Sequence, residues 1–368
     1  MITLPCTGHV DATGFGAYLE AELGAPRRNL QRFASDLAER FAVPHVTLVN
    51  SGSSANLAAA HALRERAHNR RAVVAAFTFP TTVSALIHAG FEVSFVDARP
   101  DDCQIDPSAI PRDAGLVALT HFLGWPAPVR EVRALGIPIL QDACETFDMS
   151  IDGVPMTTLA DATTLSFYHP HHLSSFGGGA VLVHDDALAR VVESVAHWGR
   201  ACTHHLPEAR ALACPAPEGP DHNFWYVRHG FNLEMSELNA CFGRWSLERQ
   251  AEDEARRALN FAILHEALAP VLRVREAPAV GVTPFVFPLT VAGDDARPLI
   301  DRLLSRGVEA RSWMGGVIAD QPAFRDLPHD GLVHARAIAR RSFFVGIHHT
   351  LREEDVRAVA RIVAEEAR

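Results

Sequence analysis

Between about Asn29 and Val183 the chain alternates two kinds of segment, and this alternation constrains the fold more than any other feature. Apolar runs such as HVTLV, AVVAAF, VSFVD, LVALTHF, PILQDA and TTLSFY are separated by helix-like stretches such as NLAAAHALRERA and TVSALIHAG. Continuous apolar runs of this length suit strands buried on both faces, and strands separated by helices are joined as parallel neighbours with the helices on the faces of the sheet. The pattern predicts an α/β fold around a parallel sheet. Ligands of such sheets collect beyond the carboxyl ends of the strands, where the turns carrying Ser51, Phe79, Asp142 and Ser166 are expected to lie.

The second half reads differently. Between Ala201 and Asn223 the segment CTHHLPEARALACPAPEGPDHN is rich in proline, histidine and cysteine and reads as an ordered loop or lid rather than a linker. A long helical stretch starts near Met235, runs with room for a break through WSLERQAEDEARRALNFAILHEAL, and leads into VTPFVFPLTV, RPLIDRLLSRGVEA and the helix REEDVRAVARIVAEEA. The expected organisation is a large unit over 1–250 and a small C-terminal α+β unit over 251–368. With 48% hydrophobic positions, a chain of 368 residues can bury a full core.

Charge and composition exclude several functions. The formal charge of −10 is spread along the chain, with no basic stretch to neutralise a phosphate backbone, so nucleic acid is not an expected partner. No basic segment followed by an apolar run opens the sequence and no run of about 18 apolar residues occurs, so no membrane span is expected and a cytoplasmic location is. The six cysteines are too sparse for a disulfide scaffold, so a grouping among them would point to metal or redox chemistry. All 34 basic residues are arginine. No step of any reaction here uses a lysine amine.

Four segments carry chemistry. Asn50-Ser-Gly-Ser-Ser-Ala-Asn follows a strand and opens a helix, where amides and hydroxyls converge at a positive helix terminus suited to phosphate. Then come Phe77-Thr-Phe-Pro-Thr-Thr-Val, Gln141-Asp-Ala-Cys-Glu and Ser166-Phe-Tyr-His-Pro-His-His, the last followed by Phe176-Gly-Gly-Gly-Ala. An aspartate at a strand end can keep a pyridinium nitrogen protonated, an aromatic can stack on that ring, and a serine can hold its phosphate. Taken singly, each also has a plain structural use: Ser51 to Ser54 as an ordinary helix cap, Asp142 as another, Phe79 as core and His171 as a surface histidine.

In their joint order and spacing, these segments resemble the fold-type I, DegT-like sugar aminotransferases and their dehydratase relatives. The resemblance runs through NSGSSANL, FTFPTTVSALIHAGFEVSFVDA, HFLGWPAPVREV, QDACETF, LSFYHPHHLSSFGGGAVL, HWGR, GFNLEMSELNACFGRWSL and RGVEARSWMGGVIADQPAF. It implies a fold-type I PLP-dependent transferase, with a mostly parallel seven-stranded sheet in the large domain and a small α+β domain. It implies that Gly52, Ser53 and Ser166 hold the cofactor phosphate, that Phe79 stacks on the ring and that Asp142 pairs with its nitrogen. Glu145 stands where the aminotransferases often have a glutamine facing the cofactor hydroxyl. Asn232, in the GFN motif, would reach the phosphate of a neighbouring subunit, which implies a homodimer with shared active sites.

At the position of the aminotransferases' Schiff-base lysine this chain has His171. The same replacement in an SFYP-x-HH context marks the 3-dehydratases of nucleotide-linked 4-keto-6-deoxy sugars. The resemblance therefore implies a lyase of deoxysugar or antibiotic biosynthesis that holds pyridoxamine phosphate (PMP) without a covalent link, condenses its amine with the C4 ketone, and expels the C3 hydroxyl with His171 as base. An inactive homologue that binds cofactor or sugar and supports a partner subunit is the alternative outside enzymology.

Two types of such dehydratase are known within the resemblance. The CDP-4-keto-6-deoxyglucose type carries a [2Fe-2S] cluster fed by an NAD(P)H-dependent flavin or iron-sulfur reductase; the GDP-4-keto-6-deoxymannose type has no cluster and regenerates its amine from glutamate. In the first type a cysteine just after the ring-binding aspartate is followed, 57 residues on, by a C-x-C pair and then a fourth cysteine. Here Cys144 and Cys202 are separated by the same 57 residues, in a matching WGRxC context. His204 replaces the second cysteine of the pair, with His205 beside it, and Cys214 follows after nine residues instead of seven. Histidine can replace cysteine on a two-iron cluster, so Cys144, Cys202, His204 and Cys214 form the expected ligand set, with zinc or a lost site as the other readings.

Overall fold

The computed structural model describes residues 3–8, 10–22, 28–202, 221–279 and 281–368. Five strands, β1 (His45–Val49), β2 (Arg71–Ala75), β3 (Glu92–Val96), β4 (Leu116–Thr120) and β5 (Ile139–Asp142), are followed by a short hairpin of β6 (Ser150–Ile151) and β7 (Val154–Pro155) and then by β8 (Ala162–Ser166) and β9 (Gly179–Val183). Without the hairpin they form one seven-stranded sheet in the order β1-β9-β8-β5-β4-β2-β3. Only β9 runs against its neighbours. The mostly parallel sheet expected from the alternating pattern is thus present.

Because successive side chains of a strand point to opposite faces, each strand feeds two cores. Val74, Leu116 and Ala118 enter one; Val73, Ala75, Val117 and Leu119 enter the other. After α1 (Phe15–Glu22), α2 (Arg28–Arg40) buries Leu30, Phe33, Ala34 and Leu37, the spacing of one helix face. The alanines of α3 (Gly52–Arg64) serve closer packing: Ala55, Ala58, Ala59 and Ala62 are fully buried, letting it settle on the sheet and against α4 (Pro80–His88). A short α5 (Val129–Arg133) and α6 (Asp186–Ala196) complete this unit.

The stretch read as a helix with room for a break is one unbroken α7 (Glu237–Leu268), capped by Ser236, whose hydroxyl accepts from the Asn239 amide. A division after residue 250 falls inside it. Beyond it a second sheet, in the order β10-β11-β13-β12, comprises β10 (Arg273–Val274), β11 (Phe287–Thr290), β12 (Arg311–Ser312) and β13 (Ser342–Val345), with α8 (Arg297–Ser305), α9 (Val333–Arg341) and α10 (Glu353–Glu366) around it. α7 packs on both α2 and α10 and so ties the two sheets together. Among the described residues no helix is long and apolar enough to cross a membrane.

Candidate active site

β1 delivers the chain to Ser51, whose hydroxyl accepts from the Ser54 amide at 3.0 Å and caps α3. The first amides of α3 therefore open at the carboxyl end of the sheet. A side chain at Gly52 would put its Cβ 2.7 Å from Cβ of Ser166 and 3.0 Å from Sγ of Cys144, so glycine alone lets the ends of β5 and β8 close on this turn. Ser53 Oγ lies 2.8 Å from Oγ1 of Thr81 on α4. Gly52, Ser53, Thr81 and Ser166 form a concave, hydroxyl-rich cradle at a helix N-terminus, the chemistry a dianionic phosphate needs. Phe79, extended just before α4, is 51% exposed and lines the same cavity of about 410 Å³.

Asp142 ends β5 and is almost fully buried. Its Oδ2 accepts from Nδ2 of Asn56 at 2.8 Å and from Oγ1 of Thr82 at 2.6 Å, and its Oδ1 accepts from the Cys144 amide at 3.1 Å. Asn56 is itself oriented, since Thr164 Oγ1 donates to its Oδ1 at 2.6 Å. Three donors converging on one buried carboxyl complement its charged form. Glu145, also buried, accepts from the Leu123 amide. Burial lifts its carboxyl to about 8 against that hydrogen bond, and the nearby Asp142 charge adds to the effect.

His171 follows β8 in a tight loop, half-buried, its ring stacked on Phe285 with centroids 5.1 Å apart. Burial lowers its imidazole to about 4; Asp142 opposes this, while Arg257 and His169 add to it. At neutral pH the ring is uncharged and able to take a proton. Phe285 belongs to the approach to β11 and reaches the site over Gly124, where a Cβ would lie 2.6 Å from the Phe285 amide. Arg257, buried on α7, donates from Nη2 to the Phe285 carbonyl at 2.7 Å and faces the cavity. Burial lowers it to about 10, which leaves it a cation.

One cavity thus brings together Gly52, Ser53, Phe79, Asp142, Glu145, Ser166 and His171. These residues fit a pyridoxal-type cofactor: a hydroxyl-rich phosphate cradle, an exposed aromatic and a buried carboxyl that accepts three hydrogen bonds line one cavity. Asn232 lies elsewhere, exposed and bridged through its backbone to His197. The sequence reading missed Asn56, Thr81, Thr82, Arg257 and Phe285. Cys144 lines the cavity and Cys202 is buried; His204, His205 and Cys214 lie outside the described residues. Burial and the Asp142 charge push the Cys144 thiol well above its ordinary range. Among the described residues no three histidine, cysteine, aspartate or glutamate side chains converge on a metal-sized site, so these residues alone do not make up a cluster site. Cys6, Cys103 and Cys241 are buried.

Residues 17–364 match the DegT/DnrJ/EryC1/StrS aminotransferase family. The chain is 29% identical to dTDP-4-dehydro-2,6-dideoxy-D-glucose 3-dehydratase of Saccharopolyspora spinosa, covering 92% of this chain and 80% of that protein. Among solved structures, E. coli GDP-4-keto-6-deoxy-D-mannose-3-dehydratase with bound hydrated PLP superposes with a TM-score of 0.87 at 20% identity, over 99% of this chain and 100% of that one. The sugar aminotransferase CalS13 of Micromonospora echinospora superposes with a TM-score of 0.84 at 19% identity, over 99% and 100%. At these identities the structural likeness speaks for the fold, which dehydratases and aminotransferases share.

Proposed function

We propose, from the premise that this chain belongs to the DegT/DnrJ/EryC1/StrS aminotransferase family, that it removes the C3 hydroxyl of a nucleotide-linked 4-keto-6-deoxyhexose with PMP. The observation that carries this reading is His171, a neutral, half-buried imidazole facing the pocket of a chain with no lysine. PMP, when bound, supplies the amine that joins the C4 ketone and the electron sink that lets the C3 hydroxyl leave. The chain supplies the rest. Gly52, Ser53 and Ser166 bind the phosphate, Phe79 covers one ring face, and Asp142 holds the proton on the ring nitrogen. Glu145 presents a protonated carboxyl to the cofactor hydroxyl, and the His171 imidazole takes a proton from one carbon and returns it to the departing oxygen.

The test is incubation with PMP and a dTDP-linked 4-keto-6-deoxyhexose, followed by mass spectrometry. Loss of the C3 oxygen, abolished in His171→Asn while PMP binding persists, is the expected result. A 4-amino sugar formed from glutamate would overturn the reading. Tight PMP binding with no turnover of any keto sugar would favour an inactive partner-supporting homologue.

For the return of the amine we propose the reductive branch, with a [2Fe-2S] cluster on Cys144, Cys202, His204 or His205, and Cys214, and with an external NAD(P)H-dependent flavin or iron-sulfur reductase. Its support is the cysteine spacing and the place of Cys144 on the cavity wall next to Asp142. Anaerobic purification with iron and sulfide assays tests it: two irons per chain and absorption that bleaches on reduction are expected, and cofactor absorption without iron would favour the glutamate-regenerated alternative. We propose further that the protein works as a homodimer in which Asn232 serves the neighbouring pocket. The exposed Phe224, Trp225, Tyr226 and Phe231 near Asn232 in the chain support a covered surface there.

A further inference from the structure

His171 is not at the blind end of its pocket. Its side chain lines the front cavity and also a second, rear cavity of about 50 Å³, whose walls include His172, Trp245, Ser246, Arg249, Asp253 and His349. Arg249, Asp253 and His349, together with Asp11, also border a wide surface depression. A string of spaces therefore leads from solvent to the back of the imidazole without crossing the front cavity. A polar space of this size holds about one or two waters.

His171 gives its carbon-derived proton to the departing oxygen, but the two-electron return of the amine proposed above takes up two protons, and these have to reach the closed front cavity from solvent. With cofactor and sugar filling the front cavity, water meets His171 only from behind. Asp253, half-buried on α7, has its Oδ2 3.9 Å from Nε2 of His349. Burial lifts its carboxyl to about 6; Arg249 and Arg257 oppose this, and Glu252 and Asp11 reinforce it. Such a group both accepts and releases protons near neutrality.

We propose that Asp253, with His349 beside it, is the proton-exchange station of His171, moving a proton between the imidazole and solvent through water in the rear cavity. At each link one N–H or O–H bond breaks as the next forms, and no electron changes hands. The inference rests on the reading of His171 as the base and adds the route by which protons from solvent reach that base.

The test follows the His171 N–H by NMR in the full-length protein with labelled histidine, His171→Asn serving for assignment. Exchange with solvent is measured in wild type, Asp253→Asn and Ser246→Leu, with and without PMP plus dTDP-glucose, an unreactive sugar nucleotide. With the front filled, exchange should slow at least tenfold in both variants; with the front empty, all three proteins should exchange alike. Unchanged exchange in the filled variants would overturn the rear route, and equal slowing with the front empty would reduce Asp253 to a structural role. Ser246→Leu blocks the cavity without touching the carboxylate, so the test survives if Asp253→Asn folds poorly. An active His171→Asn would sink the base reading, whereas the exchange rates bear on the route alone.

Discussion

Exchanging the carboxylate and the amide of Asp142 and Asn56 separates what Asp142 does for folding from what it does for chemistry. In Asp142→Asn one oxygen position becomes an NH2 group. Placed at Oδ1 it meets the Cys144 amide; placed at Oδ2 it meets Nδ2 of Asn56, which lies 2.8 Å from that position, while Thr82 can turn its hydroxyl to accept. A buried donor facing a donor costs about 1–3 kcal/mol, and hydrogen bonds to a neutral group are about 1 kcal/mol weaker each than those to a charge. The expected loss is about 2–5 kcal/mol. Asn56→Asp alone sets two buried carboxylates 2.8 Å apart, where like charges repel by about 6 kcal/mol at an effective dielectric of about 20, so one must take a proton. In the double variant the amide at 142 donates to the carboxylate at 56, whose other oxygen still accepts from Thr164. Its stability should return to within about 1 kcal/mol of wild type, a coupling of at least about 3 kcal/mol.

Urea unfolding of the four cofactor-free proteins at pH 7 measures this cycle. Additive losses would refute the hydrogen-bond assignment. The double variant is equally telling in function, because the restored carboxylate now sits at position 56, away from the ring nitrogen. It should fold well and stay inactive; recovered turnover would show that Asp142 is not the partner of that nitrogen.

Gly52→Ala forces a methyl to within 2.7 Å of Ser166, so it should cost about 1–3 kcal/mol by overpacking and weaken PMP binding at least tenfold, read by thermal melting and a fluorescence titration; unchanged affinity would remove the cradle from the phosphate site. His121 is fully buried, accepts from the Ala127 amide through Nδ1, and is lowered by burial to about 4. The unfolded chain is then the better proton binder below about 6.5, so this contribution is intact above that pH and is lost as the pH falls towards 4, by about 3 kcal/mol. His121→Asn keeps an acceptor near the same place and should flatten the acid limb of the stability curve; an identical limb in both proteins would argue against it. Trp225→Asp with Phe231→Asp should turn the proposed dimer into monomers of reduced PMP affinity by light scattering and titration, and a dimer with full affinity would place the interface elsewhere.

The strand-end positions were legible because a parallel sheet leaves only one place for polar residues that follow its strands. Asp142, Ser166 and the turn at Gly52 are such positions, and all three meet in one cavity. Asn56 and Thr82 carry no site signal of their own, although they stand in the segments that contain Ser53 and Phe79. A polar residue one turn into a helix looks ordinary until the neighbouring strand end is placed beside it. Arg257 was hidden more thoroughly: within EDEARR it looks like part of a solvated face, and only the tertiary packing of α7, which brings it under the Phe285 carbonyl, buries it. Phe285 gives an apolar signal like any core residue, and its stacking on His171 depends on the close approach at Gly124. The rear cavity likewise arises from α7, the His171 loop and the turn at His349, which lie far apart in the chain.

A histidine rather than a lysine at position 171 sets the charge of the pocket as well as its chemistry. An ammonium at position 171 would stand as a cation near Asp142, whereas the imidazole found there is neutral. In the proposed complex the charge of Asp142 is met by its three hydrogen-bond donors and by a ring proton, whereas Glu145 has no ion-pair partner among the described residues and shares the cavity with Arg257. Burial keeps that carboxyl protonated at neutral pH, so the two acids have different parts: Asp142 accepts hydrogen bonds, and Glu145 is a neutral group that can donate one. A protonated glutamate and a glutamine share shape, charge and the ability to donate and accept. Glu145→Gln should therefore leave PMP affinity at pH 7 within about threefold of wild type, while Asp142→Asn, formally the same change of carboxyl to amide, should lower it at least a hundredfold, since about 3 kcal/mol of charge-assisted bonding is lost. Equal losses in the two variants, measured by the same fluorescence titration, would mean that both carboxyls are charged in the folded protein and that His171 or Arg257 compensates the second.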